Sequence, residues 1–438
     1  MARIFQPKKP SIDKKHHSAV VEKFDHQGAG IAYWQNKPVF IAGALPTETV
    51  LFQLQEQKSK YATAKLIKVQ APSKERTSPV CAHYEQCGGC DMQHASRSLQ
   101  VEFKQQKLKE LMAKFAGQKE VTLAPAITGQ DVGYRRRTRI SLRVNRKTGQ
   151  LDFGFRARNS QNIIALKQCP VLAEPLNALL PELKAHLVGY SKPQELGHVE
   201  LVLADSGIVF VLRTTAKVRD KDRLALENFA VQHNIALYLH QGDVPLEQLT
   251  GEQTRYHIDG LALDFEPTNF IQVNAEINQQ MVSQALDWLA LEEHDQVLDL
   301  FCGVGNFSLP IAKRAAHVVG IEGVDEMVVQ ASRNAKANQL SNIDFYQANL
   351  QQPLGSQEWG QAQYNKVLLD PARAGAAGIV DQLAELGAQQ VVYVSCNAST
   401  LARDADSLIQ QGFRLEKLGM LDMFPHTSHL ESMALFIK

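Results

Sequence analysis

Gln296-Val297-Leu298-Asp299-Leu300-Phe301-Cys302-Gly303-Val304-Gly305-Asn306-Phe307-Ser308 decides the fold. Its first five residues read as a strand that runs straight into a glycine-bearing turn and a helix start. Glycines at that junction let a ligand approach the backbone and the helix N-terminus. The turn lacks the third glycine of a dinucleotide fingerprint and the lysine of a phosphate loop. From here to the C-terminus strand-like and helical patterns alternate, which predicts a doubly wound parallel sheet. In such a sheet chemistry sits just past the carboxyl ends of the strands.

The other strand ends carry matching chemistry. His317-Val318-Val319-Gly320-Ile321 ends in Glu322, nineteen residues after Gly303 and placed to accept from both hydroxyls of a ribose. Ile343-Asp344-Phe345-Tyr346 leads to Asn349, within reach of an adenine edge. Lys366-Val367-Leu368-Leu369 ends in Asp370-Pro371-Ala372-Arg373. Together these describe binding of S-adenosylmethionine better than binding of NAD. Val391-Val392-Tyr393-Val394-Ser395 then delivers Cys396 to the cleft. A lone buried cysteine is usually a small hydrophobe. On a rigid strand end beside a cofactor site it becomes a candidate nucleophile. In methyltransferase sheets the final strand, here Ser432-Met433-Ala434-Leu435-Phe436-Ile437, runs antiparallel. Its start therefore brings Glu431 near Cys396 as a candidate base.

The rest of the chain has a different character. The 438 residues are 44% apolar and 21% charged, the balance of a globular protein of two to four domains. No run of eighteen apolar residues suggests a membrane span, and the N-terminus does not read as a signal peptide, so a cytoplasmic protein is expected. The net charge of +1 hides a split: residues 1–150 hold 26 Lys/Arg against 12 Asp/Glu, and residues 151–438 hold 21 against 34. That asymmetry points to a polyanion-binding front and a catalytic back.

Residues 1–16 read as a basic arm. Five short strands between Ala19 and Val69 then suggest a small closed barrel of the OB type, similar to the RNA-binding TRAM domain. Pro72–Pro79 reads as a linker. Cys81, Cys87 and Cys90 follow as C-x5-C-x2-C, with Cys169 as the best fourth thiolate after 78 intervening residues. Four thiolates suit zinc and an iron–sulfur cluster alike, and spacing does not separate them. Ala95–Ala116 has a helical stripe of Leu108, Leu111, Met112 and Phe115, the pattern of a packing helix. Gly133–Lys147 holds seven Arg or Lys in fifteen residues and no acid, which predicts a strand with an RNA-facing basic side. The expected parts are residues 1–74 for the barrel and arm, 75–262 for a central α+β domain, and 263–438 for the catalytic domain. Within these, 93–124 is expected to be a helix packing on the catalytic domain.

Read together, CGGC with Cys81 and Cys169, Phe270-Ile271-Gln272-Val273-Asn274, DLFCGVGNFS, DPARAG, SCNAST and FPHTSHLES make the chain similar to the uracil-5 RNA methyltransferases. The resemblance is to the 23S ribosomal-RNA branch of that family and covers nearly the whole chain. It departs at Ala372 and Ala398, where the family usually has prolines; this bears on loop rigidity. The resemblance implies an α/β multidomain enzyme: TRAM barrel, central iron–sulfur domain, and class I (Rossmann-like) methyltransferase domain. It would methylate C5 of a 23S ribosomal RNA uridine (uridine 1939), as a monomer. Cys396 would be the nucleophile and Glu431 the general base. Gln272, Phe301, Asn306, Glu322, Asn349 and Asp370 would bind S-adenosylmethionine. Cys81, Cys87, Cys90 and Cys169 would hold a [4Fe-4S] cluster. A transfer-RNA uracil-5 enzyme typically lacks the barrel and the cysteines. A cytosine-5 enzyme usually carries a second cysteine on strand four, where Asp370-Pro371-Ala372-Arg373 stands. A non-catalytic, metal-stabilised RNA-binding or assembly factor would not need Cys396, Glu431 and the Gly303/Gly305 turn.

Overall fold

The computed structural model describes residues 14–350 and 352–438. The expected basic arm lies, through residue 13, outside the described residues. The chain forms two compact units: one built on the N-terminal barrel up to Tyr84, with Cys90–Phe103 and His426–His429, the other from Glu85–Gly89, Lys104–Pro425 and Leu430–Lys438.

In the first unit β1 (His16–Phe24), β2 (Gly30–Trp34), β3 (Lys37–Ala42), β4 (Thr49–Gln57) and β5 (Ala62–Ala71) close a barrel in the order β1-β2-β3-β5-β4. Alternating apolar residues fill it, with Val39, Ile41, Val50 and Phe52 fully enclosed. The stretch expected as a linker after the barrel is anchored instead. Glu48, fully buried, pairs with Arg76 at 2.5 Å and accepts from the Ser73 amide at 3.2 Å. A buried carboxylate requires such partners. The His426–His429 segment is held in the same unit: Ser428 donates from its amide and hydroxyl to Asp91, both at 2.7 Å.

The helix α1 (Arg97–Phe115) follows the barrel in sequence. The second unit then contains two seven-stranded sheets. The first combines β6 (Arg137–Val144), β7 (Leu151–Arg156), β8 (Ile163–Ala165), β9 (Leu196–Ala204), β10 (Gly207–Thr214), β11 (Ile235–Gln241) and β12 (Glu247–Gln248). Its order is β12-β11-β10-β9-β6-β7-β8, antiparallel except for β10 and β11. Leucines of α2 (Glu174–Val188), and Leu226 and Phe229 of α3 (Asp220–Gln232), cover one face.

A hairpin of β13 (Arg255–Ile258) and β14 (Leu261–Asp264), then α4 (Ala275–Leu289), lead into the second sheet. It contains β15 (Gln296–Leu300), β16 (His317–Glu322), β17 (Ile343–Gln347), β18 (Lys366–Leu369), β19 (Gln390–Ser395), β20 (Arg414–Leu421) and β21 (Glu431–Ile437). The order is β17-β16-β15-β18-β19-β21-β20. The first five strands are parallel and β21 is antiparallel to both neighbours. Strand order reverses between β15 and β18, so the ligand crevice is expected there, outside their carboxyl ends. The central strands are enclosed on both faces, which explains their unbroken Val/Leu/Ile runs.

Candidate active site

The turn after β15 is built for close approach. Phe301 adopts a left-handed conformation (φ 67°), as do Gly303 (58°) and Gly305 (97°). A bulky residue held at positive φ is strained and belongs where the surroundings fix it. Here the Phe301 and Cys302 amides both donate to the Ile321 carbonyl, at 2.9 and 3.0 Å. A Cβ on Gly305 would lie 2.2 Å from Leu309 Cδ1, and at φ 97° any side chain there would be strained. Glu322 ties the turn to the end of β16: Oε2 accepts from the Gly303 amide at 3.1 Å, and Oε1 from Gly323 and Val324 at 2.8 and 3.1 Å. A carboxylate has about four acceptor sites, so capacity remains for ribose hydroxyls. Asn349 follows β17 and is exposed.

Two more of the residues expected to bind the cofactor, Gln272 and Asn306, fall into a linked set. Gln272 is buried, and its carbonyl accepts from Arg136 Nε at 2.8 Å. The Arg136 guanidinium lies over the Tyr256 ring, 5.0 Å from its centre. Tyr256 donates to Asn306 Oδ1 at 3.1 Å, and Asn306 and Asn278 exchange amide hydrogen bonds at 3.0 Å. Asn278 and Tyr256 carry no sequence motif and were invisible beforehand. These polar groups around a glycine turn fit an adenosyl ligand.

Cys396 and Glu431 meet at one end of the sheet. Ser395 pairs with Ser432 across β19 and β21, so Cys396 and Glu431 are the next residues on the two strands. Cys396 is partly exposed and Glu431 is buried. Among the described residues Glu431 Oε2 has no hydrogen-bond partner, and neither has Asp299 Oδ1 in β15. Burial pushes Glu431 up to about 8, helped by the Asp370 charge and opposed by Lys104. Burial holds Asp370 at about 7. Asp299 also rises to about 7, mainly through burial, although Ser308 donates to it. The Cys396 thiol is raised by burial and then by the Glu431 and Asp370 charges, against Arg373. Carboxyls that titrate near neutrality beside a part-exposed thiol are suited to moving protons.

Two side chains outside the expected set shape the loops. Asn397 caps α7 (Ala398–Gln410), accepting from the Ser399 amide, and donates to the Arg373 carbonyl at 3.0 Å. This joins the Cys396 turn to the Asp370–Arg373 turn. Asp404, buried on α7, accepts from the Tyr393 hydroxyl and the Ala376 amide, each at 2.7 Å. These bonds supply rigidity where Ala372 and Ala398 replace prolines. The Asn before a helix is a readable cap; Asp404 gave no signal.

The basic strand is not one uniform face. Arg136 is buried, as above. Arg137 pairs with Glu200 at 2.8 Å and donates to the Asn269 carbonyl. Arg139, Arg143, Arg146 and Lys147 are exposed. The cysteines expected to hold metal are partly exposed, and the Cys81 and Cys169 amides are fixed by Gln93 Oε1 at 3.0 Å and Asn177 Oδ1 at 2.7 Å. Among the described residues, however, no group of three or more Cys, His, Asp or Glu is gathered so as to hold a metal ion. The donor chemistry of Cys81, Cys87, Cys90 and Cys169 fits a thiolate-bound cluster. No described helix is long and apolar enough to cross a membrane.

The family model described as tRNA (Uracil-5-)-methyltransferase matches residues 96–438, and the TRAM domain model matches residues 18–67. Over the full length of both chains, the sequence is 57% identical to a protein named 23S rRNA (uracil(1939)-C(5))-methyltransferase RlmD of Vibrio cholerae serotype O1. It is 52% identical, again over both full chains, to the protein of that name from Aliivibrio fischeri. The crystal structure of Pyrococcus abyssi tRNA (uracil-54, C5)-methyltransferase with S-adenosyl-L-homocysteine has the same fold (TM-score 0.74, 22% identity, 96% of this chain and 100% of that one). With a barrel, a glycine turn and a cysteine–carboxylate pair on one chain, and a family model spanning most of it, this protein belongs to the uracil-5 RNA methyltransferase family.

Proposed function

We infer that the chain transfers a methyl group from S-adenosylmethionine to C5 of a uridine in 23S ribosomal RNA, the reaction in the name of its full-length relatives. The nucleotide in that name, uridine 1939, is the expected target. The observation that carries the mechanism is the register of β19 against β21, which sets Glu431 beside Cys396.

C5 of uracil is a poor nucleophile. Asp370 orients the uracil edge and takes the Cys396 proton. The thiolate then adds to C6: an S–C bond forms and the C5–C6 π electrons move into an enolate. When bound, S-adenosylmethionine supplies a sulfonium methyl that the enolate carbon can accept. Glu431 then takes the C5 proton, the C5–C6 double bond re-forms, and the C6–S bond breaks with its electron pair returning to Cys396. Gln272, Phe301, Asn306, Glu322, Asn349 and Asp370 would hold the cofactor. The uridine must leave its stack, at roughly a few kcal/mol, which the barrel and the exposed arginines of β6 can offset through phosphate contacts.

The four cysteines would hold a [4Fe-4S] cluster; their thiolate chemistry supports this, and no catalytic step above depends on it. The organisation into a barrel, a central domain and a catalytic domain, and a cytoplasmic monomeric state, complete the reading. Methyl transfer from labelled S-adenosylmethionine to unmodified 23S and transfer RNA, with the modified base mapped, tests the activity. Label on a 23S uridine C5 is expected; label on transfer RNA alone would overturn it. Protein purified without oxygen is expected to carry iron and sulfide in equal amounts and to lose both in Cys169→Ser but not Cys302→Ser. A single zinc would contradict the cluster.

A further inference from the structure

We propose that Lys104 is a positioning residue for the proton-transfer step, its buried ammonium paired with Asp422 beside Glu431. The sequence offers Lys104 only as a polar residue of the packing helix α1. In the structure its side chain is fully enclosed, as is that of Asp422. Nζ donates to Asp422 Oδ1 at 2.6 Å and to the Phe424 carbonyl at 2.9 Å. Asp422 follows Leu421, the residue that pairs with Glu431 across β20 and β21. The pair therefore sits one step along the ladder from the carboxyl that must move a proton.

The charges around Glu431 explain why a lysine is useful there. Asp370, just past β18, raises Glu431, Lys104 of α1 lowers it, Cys396 past β19 is itself raised by Glu431, and Asp422 is bonded to Lys104. Without Lys104 the influence that lowers Glu431 is lost, and the carboxyl would hold its proton more firmly. A buried ion pair is a poor device for stability, since apolar side chains of the same size often serve as well. An uncompensated cation, in turn, would drive Glu431 to permanent ionisation. Lys104 and Asp422 together leave a graded influence, the cation tempered by the carboxylate bonded to it at 2.6 Å.

The inference rests on Glu431 being the base. It is tested on the full-length protein with unmodified 23S RNA transcript and labelled S-adenosylmethionine, by following resolution of the covalent RNA adduct against pH. Lys104→Gln removes the cation and leaves Asp422, so the rate profile is expected to move toward alkali by roughly one pH unit. Asp422→Asn leaves the cation alone, and the profile is expected to move toward acid. The double variant is expected to return toward the parent profile. Opposite shifts that cancel are a charge signature that loosened packing would not produce. Unmoved profiles, or shifts of the same sign, would overturn the inference. Should Lys104→Gln not fold, Asp422→Asn and the double variant carry the same comparison, an acid shift and its cancellation. Glu431→Gln is run alongside. If it resolves the adduct at the parent rate, the base assignment fails; if it traps the adduct while the other profiles stay put, only the role of Lys104 fails.

Discussion

The two seven-stranded sheets of the second unit treat a glutamate in opposite ways. In the mainly antiparallel sheet Glu200, on β9, is held at about 2, first by His198 and then by Arg137. In the parallel sheet Glu431, on β21, is pushed up to about 8 by burial and by Asp370. One carboxyl is compensated by its neighbours; the other is left under-compensated at the proposed catalytic site. The difference teaches that a carboxyl met by cations is held ionised here, whereas a buried carboxyl with little compensation holds its proton.

The largest expected consequence is a difference in the sign of a stability change. A carboxyl with a depressed pKa stabilises the folded state above its unfolded value near 4.5, and that stability fades as pH falls toward 2. A raised carboxyl works in reverse: between 4.5 and 8 the folded state must hold a proton that the unfolded state has released, so stability falls as pH rises. At pH 7, Glu200→Gln is expected to destabilise the fold and Glu431→Gln to stabilise it, each by about 1–3 kcal/mol. Thermal unfolding at pH 7 and pH 5 checks this, the Glu431→Gln gain shrinking at the lower pH. Equal signs would break the comparison.

A smaller effect concerns the cations around Glu200. Arg137 pairs with that carboxylate at 2.8 Å, whereas Arg139 reaches it only at 4.0 Å and keeps 63% of its side chain exposed. Replacing Arg139, Arg143 and Arg146 by Gln is expected to weaken RNA binding about tenfold at low salt and to flatten its salt dependence. Arg137→Gln is expected to act on stability instead, with the salt slope kept. Filter binding across a salt series separates the two, and an unchanged slope in the triple variant would show that RNA lies elsewhere.

The sequence exposes those features that periodicity and punctuation control. Gly303, Gly305 and Glu322 are legible because each sits where a buried strand stops. Glu431 is legible because the last strand's direction follows from the sheet type. Residues whose role depends on which side of an element meets which neighbour are not legible. Arg136 and Arg139 look alike in a basic run, yet one is buried against Tyr256 and the other faces solvent. Lys104 looks like any lysine on an amphipathic helix, and Asp404 like any helical aspartate. Only tertiary packing distinguishes them, and packing overrides local pattern. Cysteine spacing suggests a donor set, and spacing alone says nothing of how the thiols lie in space.

The central claim is that Cys396 and Glu431 act at successive steps on one uracil ring. Denaturing gel electrophoresis of the Glu431→Gln and Cys396→Ala variants, each incubated with 23S RNA and S-adenosylmethionine, tests it most directly. Glu431→Gln is expected to accumulate a methylated RNA covalently held on the protein, because the thiol cannot leave until C5 gives up its proton. Cys396→Ala is expected to give neither adduct nor methylation. Turnover of Glu431→Gln at the parent rate, or its complete inactivity without any adduct, would contradict the assignment.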